Sequence, residues 1–377
     1  MTEMTTQPEN ALPESNSDAP AQTGLLADTR AGFAFGLIVL VGLTILVAEL
    51  DLAIGSFFAD QGVTRNPLEY PLTAVIIGLT GNVLLRVLGL YEWLRGAFLT
   101  EFFLKIGLVL LGARVSFGDL MAEGIGGLVQ ALVMVCSVFF FTWWLAGKFN
   151  LPPSLKAIMA SAVSVCGVSA AIAAAGAVVA KKEEVTYITA LVILTAMPLM
   201  VIMPWAAEAM NLEAQVAGAW FGGNIDTTAA VVGAGTIHGE EAQQTAAVVK
   251  LAQNVMIGFV AFALALHFAL VVQRDPSQKP SIRILWQRFP KFVLGFMLVS
   301  ILASLDVFTP ELIREMRSAY KWLFALAFVS IGLEFAPGAI RQMGRGPVIV
   351  YMGATVFNTL LALIVAFIVF GVLGLGG

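Results

Sequence analysis

Ser164-Val-Cys-Gly-Val-Ser-Ala170 and Phe221-Gly-Gly-Asn-Ile-Asp-Thr-Thr228 interrupt sequence that is otherwise compatible with lipid. Each places glycine and small hydroxyl or amide side chains where a membrane helix would continue with Leu, Val and Phe. Backbone can break inside a bilayer only where protein or a watery cavity satisfies its N–H and C=O groups, so such a break marks a binding site. The pair of breaks reads as a transporter.

The rest of the chain agrees with that class. Of its 377 residues 59% are hydrophobic and 12% charged, with a mean hydropathy of +0.88, far from globular composition. Apolar runs of membrane-spanning length are expected at about 31–50, 71–89, 97–115, 124–147, 185–207, 242–271, 289–306, 317–335 and 346–374. These define an all-α polytopic membrane protein of about 9–11 segments, two of them interrupted or re-entrant, at 153–180 and 214–237. Residues 1–30 read as a disordered tail, carrying Glu3, Glu9, Glu14, Asp18 and Asp28 among Pro, Ser, Thr and Gln, and residues 31–377 as one membrane domain. The tail holds much of the acid, so the net charge of −4 says little about partners. It lacks the features of a cleavable signal, which leaves insertion to the first helix.

Charge placement bears on how the interrupted segments lie. If both crossed the membrane, Lys181 and Lys182 would face the side opposite Lys148 and Lys156, against the positive-inside rule. If each entered and left on one side, Lys148, Lys156, Lys181 and Lys182 would all be cytoplasmic, with Glu208, Glu213, Glu240 and Glu241 outside. Arg274, Lys279, Arg283, Arg288, Lys291, Arg341 and Arg345 would then also fall inside, as would the N-terminus. Two hairpins entering from opposite faces, or two broken helices that cross, both place unwound backbone at mid-depth.

Phe103-Leu-Lys-Ile-Gly-Leu-Val-Leu-Leu-Gly-Ala-Arg-Val-Ser-Phe-Gly-Asp-Leu120 aligns with Leu323-Phe-Ala-Leu-Ala-Phe-Val-Ser-Ile-Gly-Leu-Glu-Phe-Ala-Pro-Gly-Ala-Ile340, Gly112 matching Gly332 and Gly118 matching Gly338. Both topologies run these copies in opposite directions, as a partial inverted repeat.

The residues that could carry chemistry gather at the breaks. Ser164, Cys166, Gly167 and Ser169 at one tip, and Gly223, Asn224, Thr227 and Thr228 at the other, offer hydroxyl, amide and backbone donors, and a helix N-terminus there attracts an anion. Small residues also simply let helices pack closely in lipid. Lys250, about two turns into an apolar span, is expensive in lipid and is a candidate partner for an anion or for Asp226, unless it snorkels to the surface. Asp226 is a candidate carrier of a coupling proton or sodium ion, or a helix cap. Lys105 lies four residues after Glu101, so the two can neutralise each other. Asn82, Asn254 and Asn358 read as interhelical hydrogen-bonding residues. Cys136 and Cys166 fall within membrane segments as small apolar filler, and no pattern suggests a metal or cofactor.

Gly107-Leu-Val-Leu-Leu-Gly-Ala-Arg114, Val165-Cys-Gly-Val-Ser-Ala170 followed by Lys182-Glu-Glu184, Thr228-Ala-Ala-Val-Val-Gly-Ala-Gly235, Val248-Val-Lys-Leu251 and Ile331-Gly-Leu-Glu334 together resemble the YeiH-like family of bacterial inner-membrane proteins, described as sulfate exporters. The likeness runs from about Gly32 to the C-terminus. It implies a multi-pass carrier distantly similar to the cation:proton antiporter and anion transporter superfamily, with inverted repeats, interrupted helices and an elevator-like movement. Where relatives carry Arg shortly after the Lys-Leu pair this chain has Gln253, which breaks a two-cation anion clamp. The resulting expectation is a secondary transporter, in the exporting direction, of a small inorganic oxyanion such as sulfate or sulfite, and not an enzyme. The alternatives are a proton- or sodium-coupled carrier of an organic anion, a cation:proton antiporter and, remotely, an intramembrane serine hydrolase using Ser169 of Gly167-Val-Ser169 with His267. The partners expected are the anion, a coupled proton or sodium ion, the bilayer and, allowed but not required, a second copy in a homodimer, with no nucleic acid.

Overall fold

The computed structural model describes residues 21–60, 70–115, 117–178, 180–272, 283–335 and 344–375, and these are helical with short connections. In chain order the helices are α1 (Ala21–Asp60), α2 (Tyr70–Val87), α3 (Tyr91–Leu94), α4 (Thr100–Leu111), α5 (Phe117–Lys148), α6 (Pro153–Ser161), α7 (Val168–Val178) and α8 (Lys182–Ala209). There follow α9 (Ala214–Asn224), α10 (Thr228–His238), α11 (Glu240–His267), α12 (Arg283–Arg288), α13 (Phe292–Ser304), α14 (Pro310–Leu333) and α15 (Arg345–Ala366). A bilayer demands this, because each long helix satisfies its own backbone and can expose Phe33, Ile38, Leu52, Phe140 and Ile364 to lipid.

Among the described residues seven helices are long and apolar enough to cross a membrane, against nine spans expected. The other two fall short for different reasons. Helix α13 has only 13 residues, and the first half of α14 carries Glu311, Arg314, Glu315, Arg317 and Lys321. Helix α1 begins at Ala21, inside the stretch expected as a tail, and residues 1–20 lie outside the described residues, as do Arg274, Lys279, Arg341 and Gly338.

Both interrupted segments are hairpins. Helix α6 runs into a π turn at Ala162–Cys166, and Gly167 reverses the chain with φ 58°, a conformation that side chains with a Cβ resist. Six residues, 162–167, separate α6 from α7, yet the two pack on each other; a straight continuation would hold them about 10 Å apart. In the second segment a methyl placed on Gly218 of α9 would lie 2.5 Å from Ala242 O, and one on Gly235 of α10 would lie 3.2 Å from the same atom. Along an uninterrupted helix those glycines would be about 25 Å apart. The Phe221 and His238 rings, 5.6 Å apart and edge-on, close the same hairpin.

Helix α8 connects the end of the first hairpin to the start of the second, so the hairpins enter from its opposite ends. Their tips touch: Gly167 sits where an added methyl would come within 3.0 Å of Asp226 O.

Two groups of helices result. Helices α5–α11 and α15 pack around the hairpins, while α1, α2, α4, α13 and α14 form a second group, joined to the first largely through α10 and α13. The repeat copies, α4 and α14, are neighbours in the second group and run antiparallel. Gly107 of α4 faces the Phe324 ring near the middle of α14, and Arg114 after α4 shares Glu240 with Arg317 near the start of α14. The matched glycines mark close approaches: Gly112 lies against Phe296 O, and Gly332 against the backbone of Val75 and Leu79.

A Cβ on Gly332 would lie 2.7 Å from Val75 O and from Leu79 N. Gly332→Val is therefore expected to lower stability by about 1–3 kcal/mol, read from thermal unfolding in detergent. Gly42→Ala, with no atom within 4 Å of the new methyl, is expected to leave the midpoint in place.

Candidate functional site

A helix that stops inside the membrane leaves its last carbonyls and first N–H groups without intrahelical partners. The two hairpins bring four such ends together. At the C-terminal ends, of α6 with its π turn and of α9, the carbonyls are met by side chains from α11 and α15. Lys250 Nζ donates to Val165 O (2.8 Å) and to Gln253 Oε1 (2.6 Å). Gln253 Nε2 donates to Ser164 O (3.0 Å) on one hairpin and Gly223 O (3.4 Å) on the other. Asn358 Nδ2 does the same with Val163 O (3.5 Å) and Asn224 O (2.8 Å). Two amides thus stitch one hairpin to the other, and all three donor side chains are buried.

At the N-terminal ends the chemistry is the reverse. Thr227 caps α10 by accepting from Ala230 N–H at 3.2 Å. The first turns of α7 and α10 face a cavity of about 400 Å³ whose walls include Glu101, Lys105, Cys166, Ser169, Thr228 and Asn254. The segment Gln287 to Phe292 forms its rim on the α12 side. Asn254 Nδ2 donates to Thr228 Oγ1 at 3.4 Å, which leaves the Thr228 hydroxyl proton free to donate into the cavity. Glu101 and Lys105 pair at 3.1 Å, as their spacing predicted, with both side chains over two-fifths exposed, so the pair adds little stability.

At the far end of α4 the two helix groups are tied. Arg114, just after α4, and Arg317 of α14 both hold Glu240 at the start of α11, the latter at 3.0 Å. The molecule is open at the Lys105 end and clamped at the Glu240 end.

Of the residues expected at the site, Cys166, Ser169 and Thr228 line the cavity. Gly167 is the turn between them and α6, and Thr227 is a cap. Ser164, Gly223 and Asn224 lie behind the wall, presenting carbonyls to Gln253 and Asn358. Lys250 is also behind it, turned onto Val165 O, and makes no ion pair with Asp226. The Asp226 carboxylate instead accepts from Tyr351 Oη at 2.6 Å. Asn254 and Asn358 both serve in the interhelical hydrogen-bonding role expected of them, and Asn254 also stands in the cavity wall. Gln253 and Tyr351 were not singled out as site residues. Lys250, Gln253 and Asn254 sit three and four residues apart on one helix face, a spacing that could have found the second and third from the first.

Ser169 and His267 line different cavities, His267 packing edge-on to Trp143 at 5.8 Å beside Cys136 and Phe139. Among the described residues no group of three or more His, Cys, Asp or Glu could hold a metal ion.

A family model described as conserved hypothetical protein 698 matches residues 35–351. The chain belongs to this family. Its relatives carry the name UPF0324 membrane protein, and it is the YeiH-like family that the motifs resemble. The relative from Rhodopirellula baltica is 40% identical over 81% of this chain and 58% of its own length. One from Nitratidesulfovibrio vulgaris is 37% identical over 79% and 54%. The protein named UPF0324 membrane protein TauZ, from Paracoccus pantotrophus, is 28% identical over 89% and 94%. The chain thus spans a little over half the length of the first two. No solved structure matches it.

The stitch between the hairpins is testable in this family member. Gln253→Leu keeps the bulk but strips Ser164 O, Gly223 O and the Lys250 ammonium of a buried partner, and is expected to cost about 1–3 kcal/mol. Thermal unfolding in detergent should register that loss, with Gln287→Ala at the cavity rim as the unaffected control.

Proposed function

We propose that the protein is a secondary carrier of a small oxyanion, in the exporting direction, with sulfate or sulfite first. The observation that carries this reading is the meeting of two half-helix N-termini, α7 and α10, at one cavity with the hydroxyls of Ser169 and Thr228 on its wall. Each N-terminus presents N–H donors and a partial positive charge, so an anion finds countercharge without a lysine in contact. Lys105 and Lys291 near the rim add long-range attraction.

Transport then requires the cavity to open alternately to the two sides. The group α5–α11 with α15 moves against the second group, and the Arg114–Glu240–Arg317 clamp holds the far end shut in the state described here. Under the positive-inside rule the open end, near Lys148, Lys181 and Lys291, is cytoplasmic in a bacterial inner membrane, and so is the N-terminus.

One observation favours a second reading. A cavity of about 400 Å³ lies in the range that holds organic ligands, and Leu104, Ala173, Ile257 and Phe292 give it an apolar wall. A short organic sulfonate or carboxylate fits that wall as well as its polar tip. A cation:proton antiporter is less well supported, because Asp226 sits behind the wall on Tyr351 and Glu101 is paired with Lys105.

The test is counterflow of labelled sulfate in proteoliposomes, with sulfite, methanesulfonate and a short dicarboxylate as competitors. Ser169→Ala and Thr228→Val are each expected to raise the half-saturating anion concentration about tenfold, the loss of one hydrogen bond to a charged group. Stronger competition by the sulfonate than by sulfite would select the second reading. Folded, inserted protein that exchanges none of these anions would remove the oxyanion carrier.

A further inference from the structure

The most unusual group in the molecule is the Lys250 ammonium. It is 1% exposed in the middle of the helix group, and its two hydrogen-bond acceptors are a backbone carbonyl, Val165 O, and an amide oxygen, Gln253 Oε1. Neither is a carboxylate. One hydrogen bond further out lie other carbonyls that end α6 with its π turn and α9: Ser164 O and Gly223 O accept from the same Gln253 that accepts from Lys250, and Val163 O and Asn224 O accept from Asn358. Two helix C-termini converge there, and each carries a partial negative charge of about half an electron.

Neutral oxygens from unwound backbone and side-chain amides, at the C-terminal ends of half-helices, are what a bare monovalent cation takes inside a membrane carrier. We infer that Lys250 is a tethered replacement for such a cation. The ammonium occupies a carbonyl cradle that would otherwise take an alkali ion, so the protein carries its own countercharge and needs no sodium or potassium to hold its two hairpins together. Asp226 does not supply that charge balance by contact, since it is bonded to Tyr351. Ser169, Thr228 and the anion cavity lie on the other side of the tips, so this role is separate from substrate contact. Lys250 is a positioning residue that also fixes coupling specificity.

The inference predicts a switch on truncation. Lys250→Ala leaves the cradle empty but intact, whereas Lys250→Met fills it with a neutral chain of similar length. In detergent with choline chloride as the only salt, K250A should unfold on the order of 5 °C below the wild-type chain. Replacing choline by sodium, potassium or ammonium at equal ionic strength should restore most of that loss in K250A, because a ligand that binds only the folded state stabilises it. The same replacement should leave wild type and K250M unmoved. Lys250→Ser, which keeps a hydroxyl oxygen at the cradle, serves if K250A does not fold.

Loss of stability that no small cation restores would overturn the inference, and so would equal cation stabilisation of the wild type. So too would failure of both K250A and K250S to fold in any salt while K250M folds. A second arm uses transport: wild-type exchange should keep its rate when sodium and potassium are replaced by choline on both faces, and a wild-type requirement for either ion would count against the inference. The unfolding arm needs no substrate, so it gives its answer even if the carrier reading fails.

Discussion

The structure depends on one constraint: four helix ends lie inside a membrane domain, and every backbone group at those ends must find a partner without bulk water. The hairpins solve it by polarity. Their C-terminal ends turn onto Lys250, Gln253 and Asn358, all from helices that span the same group. Their N-terminal ends turn to the cavity, where Ser169 and Thr228 stand. On one side of the crossing the helix-end carbonyls are thereby met from within, and the other side faces the cavity.

This division also explains why the hairpin tips can be small and soft in sequence yet fixed in place. Ser164, Gly223 and Asn224 contribute mainly backbone carbonyls, and the side chains that hold those carbonyls come from elsewhere. Gly167 is required for its left-handed turn and because Val192 and the Asp226 backbone leave no room for a Cβ. Asn224 is held from both sides, its Oδ1 by Thr359 at 3.1 Å and its Nδ2 directed at Met203 Sδ. The tips are thus held in place by their neighbours, with two helix N-termini facing one cavity.

Much of this was legible in the chain. Glycine and hydroxyl residues interrupting apolar runs located both breaks to within a few residues, and the alternation of lysine and glutamate clusters favoured hairpins over crossings. The repeat around Gly112 and Gly332 does run in opposite directions in α4 and α14, while the packing of the two copies side by side was not legible. Partnership was not legible. Lys250 stood out as a buried charge, but a sequence cannot say that its ammonium turns to a carbonyl one residue before Cys166 and away from the cavity. Asn254 and Asn358 have the same side chain and similar surroundings in sequence, yet one reaches the cavity wall and the other binds backbone. Tyr351 gave no signal, because a tyrosine in a membrane helix is unremarkable until the carboxylate of Asp226 is found 2.6 Å from its hydroxyl. The short α13 and the charged first half of α14 broke the span count for separate reasons, one helix being cut to 13 residues and the other beginning with exposed charges such as Glu311 and Arg314.

The charge at the crossing argues that Gln253 belongs there. Two helix C-termini together present roughly one negative charge, and one ammonium offsets it. A neutral amide solves two problems at once. Its oxygen accepts from Lys250, and its nitrogen donates to carbonyls on both hairpins, so the ammonium and the backbone are satisfied by one side chain. The cavity side takes its partial positive charge from the helix N-termini themselves, so the charge that holds the hairpins together stands apart from the charge that faces the cavity.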